Sequence, residues 1–505
     1  MRRKSNKRRY KRRITKRKRR VASRQLQQGG GDVTVSTFAG TATIPGNTDG
    51  PATQASFRDL RDIFLEPSTG IMYIPDTNNL KVRRVMPNGT VSTYAGSGGI
   101  GNKNGPAANA SFSQLTSVVM DSKKNLYVSD GLNYCIRKID AAGNVTTFAG
   151  SGRAIYQDGT GTAAAFKYVN GLAVDKNDNI YLAEGVSGRI RKIDPAGVVT
   201  TFAGNGTTNT VTPGIGTAAA IGYPTNLVFD PNGNLYASSN HCIVKIAANG
   251  AVSIFAGVMN GPRGSLTWKD GPASTAIFHY PAGLASDAVG NIYVADKSNF
   301  CIRKITQAGV VSTIAGVPQS SGYGDGAGAS AKFNNPCGIA VTFSGDIYVS
   351  DGNNHCIRKI VGGGPSASEM EAIMAPILAS QAQILQASQA QASQAQASQA
   401  QAIAVRASAA QASQAQAIAV RASTAQASMA VVSQAQASSA LHESMKASAA
   451  QAFQASGARL AAIATQPATQ LIQGCSQEND VLGCIDSINK IKTEQALKAS
   501  QAQTV

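Results

Sequence analysis

Hydrophobic and polar positions divide this chain into three regimes. Residues 1–32 show no apolar pattern. Residues 33–362 carry short runs rich in Ile, Val, Tyr and Thr, broken by Gly, Asn and Asp, which predict short strands joined by turns. From Ala367 onward the runs give way to Ala, Ser and Gln with a thin apolar stripe, and these residues predict helix.

The middle regime repeats. Phe-Ala-Gly or a near variant recurs at Phe38, Tyr94, Phe148, Phe202, Phe255 and Ile314, in steps of 56, 54, 54, 53 and 59 residues. A second block keeps pace with it: NLYVSDGLNYCIRKI from Asn125, NIYLAEGVSGRIRKI from Asn179, DIYVSDGNNHCIRKI from Asp346, and counterparts from Ile71, Asn234 and Asn291. Ahead of each second block stands an apolar anchor (Phe57, Phe112, Phe166, Ile221, Phe278, Phe333), and a short apolar run begins six residues later. Each unit therefore predicts four strands. Between the first two lies Asp-x-x-Gly-Asn or a close variant, as in Asp230-Pro-Asn-Gly-Asn234, where Asp and Asn suit an Asx turn and Gly a positive φ.

Six such units, none able to bury its own faces, predict a six-bladed β-propeller. The ends support closure. Val33–Gly40 is a fourth strand with no partners before it, and Ile360 ends a third strand followed by Gly362-Gly-Gly-Pro365. The N-terminal strand is expected to complete the last blade. Long Gly-rich loops follow each Ala-Gly, and five of the six carry Asp-Gly or Asn-Gly, at Asp49, Asn104, Asp158, Asp270 and Asp325. The unit "DG-x-A-x-F … P-x-G-I-A-V … G-N-I-Y-V-A-D … N-x-I-R-K-I … G-x-V-x-T-x-A-G" resembles the NHL repeat over roughly two thirds of the chain. The resemblance implies an NHL-type propeller and leaves its function open, since one fold hosts many functions.

Candidate chemistry is sparse. The resemblance admits enzymes, such as peptide-amidating lyases with an axial zinc held by several His. Here His241 and His355 share one register in different blades, His279 stands alone before a first strand, and His442 lies outside the array. Three converging His ligands are not expected. Asp76, Asp130, Glu184, Asp296 and Asp351 end second strands, with Ser239 in the fourth blade. They form either an axial carboxylate ring for a cation or, because they are periodic, turn caps paired to the Arg-Lys of the third strands. Cys135, Cys242, Cys301 and Cys356 share a register in different blades and read as small buried hydrophobes. Cys337 belongs to an inner strand, and Cys475 and Cys484 fall in the tail. CxxC, GxSxG, Walker and HExxH motifs are absent, so no cofactor is expected. The paired bases Arg83-Arg84, Arg137-Lys138, Arg191-Lys192, Arg303-Lys304 and Arg358-Lys359 read as solvated blade edges.

Charge changes the picture at one end. Of 47 Lys+Arg, 15 lie in residues 1–24 with no acid among them, while the array holds 25 against 20 Asp+Glu. The head (Arg2, Arg3, Lys4, Lys7, Arg8, Arg9, Lys11, Arg12, Arg13, Lys16, Arg17, Lys18, Arg19, Arg20) suits nonspecific phosphate neutralisation or nuclear import. It resembles the Lys/Arg-dense starts of structural proteins of large DNA viruses, which often precede a Gly-Gly; here Gly29-Gly-Gly31 follows. No secretory signal or membrane span is evident, and seven Cys are too few for a disulfide scaffold. In the tail AQASQAQAIAVRAS recurs after 15 residues, predicting either an oligomerising helical stalk or a helix without a fixed partner.

The expected organisation is a basic tail and Gly linker (1–32), the propeller (33–362), a low-complexity helix (363–469) and a short helical segment (470–505). The expected function is a non-enzymatic scaffold in the nucleus or a virion, with a protein partner on a propeller face and nucleic acid on residues 2–24. The alternatives are a metal-dependent propeller lyase or lactonase-like hydrolase using axial carboxylates, and an extracellular recognition module.

Overall fold

The computed structural model describes residues 33–258, 268–409 and 423–440. The basic head, Cys475, Cys484, His442 and the segment 470–505 lie outside these residues.

Six blades close into a ring. In the second blade the strands Leu115–Met120, Leu126–Asp130, Cys135–Ile139 and Asn144–Ala149 pair antiparallel in order from the axis outward, and the other blades follow suit. The last blade takes its fourth strand from the N-terminus: Thr34–Ala39 pairs antiparallel with Cys356–Val361, Thr34 opposite Val361 and Ala39 opposite Ile357. Closure therefore follows the phase of the repeat.

Five of the six blades hold one strand more than the spacing predicts, and in the first the loop makes a single bridge, Gly50 to Val91. The Gly-rich loops return along the outer edge as two-residue strands, such as Gly105–Pro106 against Asn144 and Val145 and Gly271–Pro272 against Val310 and Val311. The loop carboxylates pin them. Asp49 accepts the Thr93 backbone N–H at 2.9 Å, and Asp270 accepts that of Thr313 at 2.9 Å.

Each fourth strand ends in a bulge. In five blades it places an aromatic edge-on to the second-strand tyrosine, with Tyr127 and Phe148 at 4.9 Å between ring centres. The following glycine is required by its conformation. Gly150 sits at φ +106°, and a Cβ there would meet the Tyr134 carbonyl at 2.5 Å. The Asp-x-x-Gly-Asn turns are built as the sequence predicts. Asp121 accepts the Lys123 and Asn125 backbone N–H groups at 2.9 and 2.8 Å, and its other oxygen accepts from the Asn125 amide and the Tyr127 hydroxyl.

The chain beyond the ring forms a helix over Ala367–Ala409, and residues 423–440 are helical as well. Ser366 and Glu369 make a reciprocal capping box at the helix start. Serine hydroxyls along it bond back to preceding carbonyls, as Ser393 does to Gln389 at 2.7 Å. No helix among the described residues is long and apolar enough to cross a membrane.

Candidate functional site

The periodic carboxylates are consumed by structure. In five blades the second strand ends in an acid that faces a third-strand arginine with no exposed surface. Arg83 meets Asp76 at 2.6 Å, Arg137 meets Asp130 at 3.1 Å, Arg191 meets Glu184 at 3.0 Å, and Arg303 and Arg358 meet Asp296 and Asp351 at 2.8 Å. The other guanidinium nitrogen reaches the loop residue: Asp49 from Arg83 at 2.7 Å, Asn104 from Arg137 at 2.8 Å, Asp270 from Arg303 at 2.6 Å. The anchor phenylalanine lies beneath, 5.0 Å from the Arg83 guanidinium in the first blade. An axial carboxylate ring for a cation is therefore not formed.

Two expectations need correction. The first base of each pair is not a solvated edge charge, because each of these five arginines ties a loop, an anchor and two strands together inside a blade. The acids do not cap the backbone N–H groups of their turns, although four of them hold the turn's asparagine amide, as Asp76 does that of Asn79 at 2.8 Å. They accept the backbone N–H of the chain entering the first strand, as Asp76 does from Arg58 at 2.8 Å and Asp351 from Asn334 at 2.7 Å.

The fourth blade lacks this network. Pro213, Ile221, Ser239 and Val244 stand where other blades place the loop acid, the anchor Phe, the strand acid and the arginine. Its turn is two residues shorter, Ser239 pairing directly with Cys242, whereas Asp296 pairs with Cys301 across a 3-10 turn. That shortening corrects the reading of His279 as solitary. The His241 ring stacks on His279 at 5.7 Å and lies 4.6 Å from Tyr280. Burial, and secondarily the neighbouring His279, lower the His241 pKa, so His241 stays largely uncharged at neutral pH. The four array cysteines and Cys337 are buried, as expected. Among the described residues no three His, Cys, Asp or Glu side chains are grouped to hold a metal ion.

Where the repeat breaks is the segment between each anchor and its first strand. These segments read RDLRD, SQLTS, KYVNG, GYPTN, HYPAG and NNPCG. Strand directions place all six on one face, the face that also bears the 3-10 turns and the Gly-rich loops. Five residues past the anchor, three blades keep glycine because the backbones crowd there. A Cβ on Gly283 would lie 2.2 Å from the Cys337 carbonyl, and one on Gly338 would lie 2.5 Å from the Asp62 Cα. The other three carry Asp62, Ser117 and Asn226, which link across the axis. The Ser117 hydroxyl donates to Asp62 at 2.5 Å and accepts from the Leu172 N–H at 3.0 Å, Asn226 bonds Asp62, and Leu284 N–H donates to Asn226 at 3.1 Å.

Burial raises the Asp62 pKa above the usual carboxylate range, against the pull of Ser117, two backbone N–H groups and Asn226. A carboxyl raised on folding favours the protonated native state. Its contribution is whole below about pH 4 and is lost as pH rises. Asp62→Asn is therefore expected to melt above the parent chain near pH 8, with the gap closing toward about pH 4. Thermal melts across that range test it, and a gap independent of pH refutes it.

Above this linked layer opens a bowl. Arg61 lies at its centre, with its side chain 36% exposed and bound to Asp59 at 3.0 Å. Tyr168, Tyr223 and Tyr280 come from successive blades, each laid over the turn of the blade before. The Tyr168 hydroxyl donates to Gln114 beside Gly131, a Cβ on Gly185 would strike Tyr223 at 2.6 Å, and Tyr280 rests on His241. Sequence reading missed the bowl because its residues fall between the recurring blocks. The signal was their failure to recur.

This architecture defines a six-bladed β-propeller, and parts of it match NHL models. Residues 278–305 and 333–360 match the NHL repeat, and residues 154–262 match the Teneurin NHL domain. The chain is similar to mouse Teneurin-3, 26% identical over 339 residues that cover 60% of this chain and 12% of that protein. It is also similar to Arabidopsis thaliana Protein SUPPRESSOR OF QUENCHING 1, chloroplastic, 26% identical over 305 residues, 57% of this chain and 29% of that protein. The match thus spans about an eighth of the teneurin and under a third of the plant protein. An auxiliary nutrient binding protein of Bacteroides ovatus shares the fold at 20% identity and a TM-score of 0.50, covering 66% of this chain and 77% of that one.

Proposed function

We propose that this chain is a non-enzymatic interaction scaffold: the propeller holds a protein partner in the bowl, and the basic head engages nucleic acid or an import receptor. The bowl carries the proposal. It is where all six blades differ from one another, and variation against a periodic background marks a surface shaped by a ligand rather than by packing. The periodic acids that a metal-dependent reaction would need are bound to buried arginines. The head adds a separate function, because 15 bases within 24 residues neutralise phosphates without reading sequence. A nuclear or virion setting accords with that charge.

Two measurements test the two halves. Purification from the native host, with and without nuclease, should retain a protein partner that depends on the propeller; retention of nothing overturns the scaffold. Deleting residues 2–24 should abolish retention on DNA or RNA at low salt. Unchanged retention would move nucleic-acid binding to the blades.

A further inference from the structure

The bowl is two-sided, and its two sides differ in chemistry. Over the second to fifth blades its rim is mainly apolar, with Lys167 exposed beside Tyr168. Tyr223 and Tyr280 are 39% and 57% exposed, and the 3-10 turns beside the tyrosines raise Leu132 and Val186, 51% and 48% exposed. Over the fifth, sixth and first blades the rim is basic and amide-rich. Arg61 and Lys297 approach the buried Cys337 thiol from two blades, and Arg58 is exposed one position before Asp59.

Acid is scarce on this face. Among the described residues the second-strand carboxylates are buried against their arginines and the loop carboxylates are engaged, which leaves Asp59 as the acid in the bowl. The floor is sealed by Asp62, Ser117 and Asn226, so a ligand lies across the mouth and inserts side chains rather than threading the axis.

We infer that the bowl receives a short anionic peptide segment of the partner protein, an Asp or Glu placed beside a large apolar side chain. The carboxylate pairs with Arg61, whose guanidinium already sits in carboxylate geometry against Asp59, and Lys297 adds a second positive charge. The apolar side chain packs between Tyr223 and Val186, which share the third-blade turn. Exposed aliphatic side chains favour a peptide over a nucleic acid, because they neither stack on bases nor contact phosphates. This inference rests on the scaffold reading and specifies its ligand.

Panning a phage-displayed library of random linear peptides on the full-length protein tests it. Enriched sequences should carry Asp or Glu next to Leu, Phe or Trp. The corresponding synthetic peptides should lose about tenfold or more in affinity on Arg61→Gln, on Lys297→Glu and on Tyr223→Ser, with melting temperatures unchanged. Enrichment of peptides without acid, binding indifferent to all three substitutions, or an oligouridylate that displaces the peptide and binds the bowl more tightly would each overturn it. Those results leave the scaffold standing if the host protein still co-purifies through the propeller; the scaffold falls when nothing does.

Discussion

Arg303→Met is expected to destabilise the propeller by about 3–5 kcal/mol. The substitution strands Asp296, which is fully buried and whose pKa burial already pushes upward, and it releases the Lys269 and Ile277 carbonyls that the guanidinium binds at 2.8 and 3.0 Å. The pair itself contributes less than its rupture costs, because desolvating both charges consumes most of their attraction.

The fourth blade is a natural control for this argument. It runs the same four strands with Ile221, Ser239 and Val244 in place of the anchor, acid and arginine, and Val244 is completely buried. The triple change Phe278→Ile, Asp296→Ser, Arg303→Val should therefore recover about half or more of the loss from Arg303→Met, since Asp270 at the loop is partly exposed and can be hydrated. Urea denaturation of the three proteins measures it. A triple variant no more stable than Arg303→Met would mean that the ion network, and not blade packing, holds the fifth blade.

Removing residues 1–40 should abolish the cooperative melt that removal of residues 1–32 leaves intact. The lost strand is small, but it completes two cores at once. Val35 is buried with Tyr293, Phe333 and Ile360 on one side, and Ala39 with Phe57, Ile63 and Ile357 on the other. Its absence also opens the Cys356–Val361 edge, whose ladder partners from Thr34 to Ala39 vanish together. Circular dichroism melts and size-exclusion chromatography of both truncations would show it; a native-like melt after removal of residues 1–40 would mean that the ring needs no closing strand.

Blade count, strand order and closure were legible because each depends on periodic features, and periodicity survives in a single sequence. The buried arginines were misread for a related reason. Arg-Lys in an alternating strand resembles a solvent-facing pair, and what buries Arg137 is the loop around Asn104, distant in sequence and variable in composition. The fifth, outer strands escaped notice because two residues carry no pattern. The His241–His279 stack arises from a two-residue shortening that a linear reading registers only as an imperfect repeat. The bowl was hardest to see, because Asp62, Ser117 and Asn226 meet across the axis from blades that are far apart in the chain.

Closure by the N-terminal strand gives the ring a polarity. Thr34 and Val361 are register partners, so the chain enters and leaves side by side at the strand ends remote from the bowl. Whatever is joined before residue 33 or after residue 361 starts from that opposite face. A partner seated among Arg61, Tyr223 and Tyr280 meets no steric competition at its docking surface from those points of attachment. Docking surface and strand ends thus occupy opposite faces of the disc.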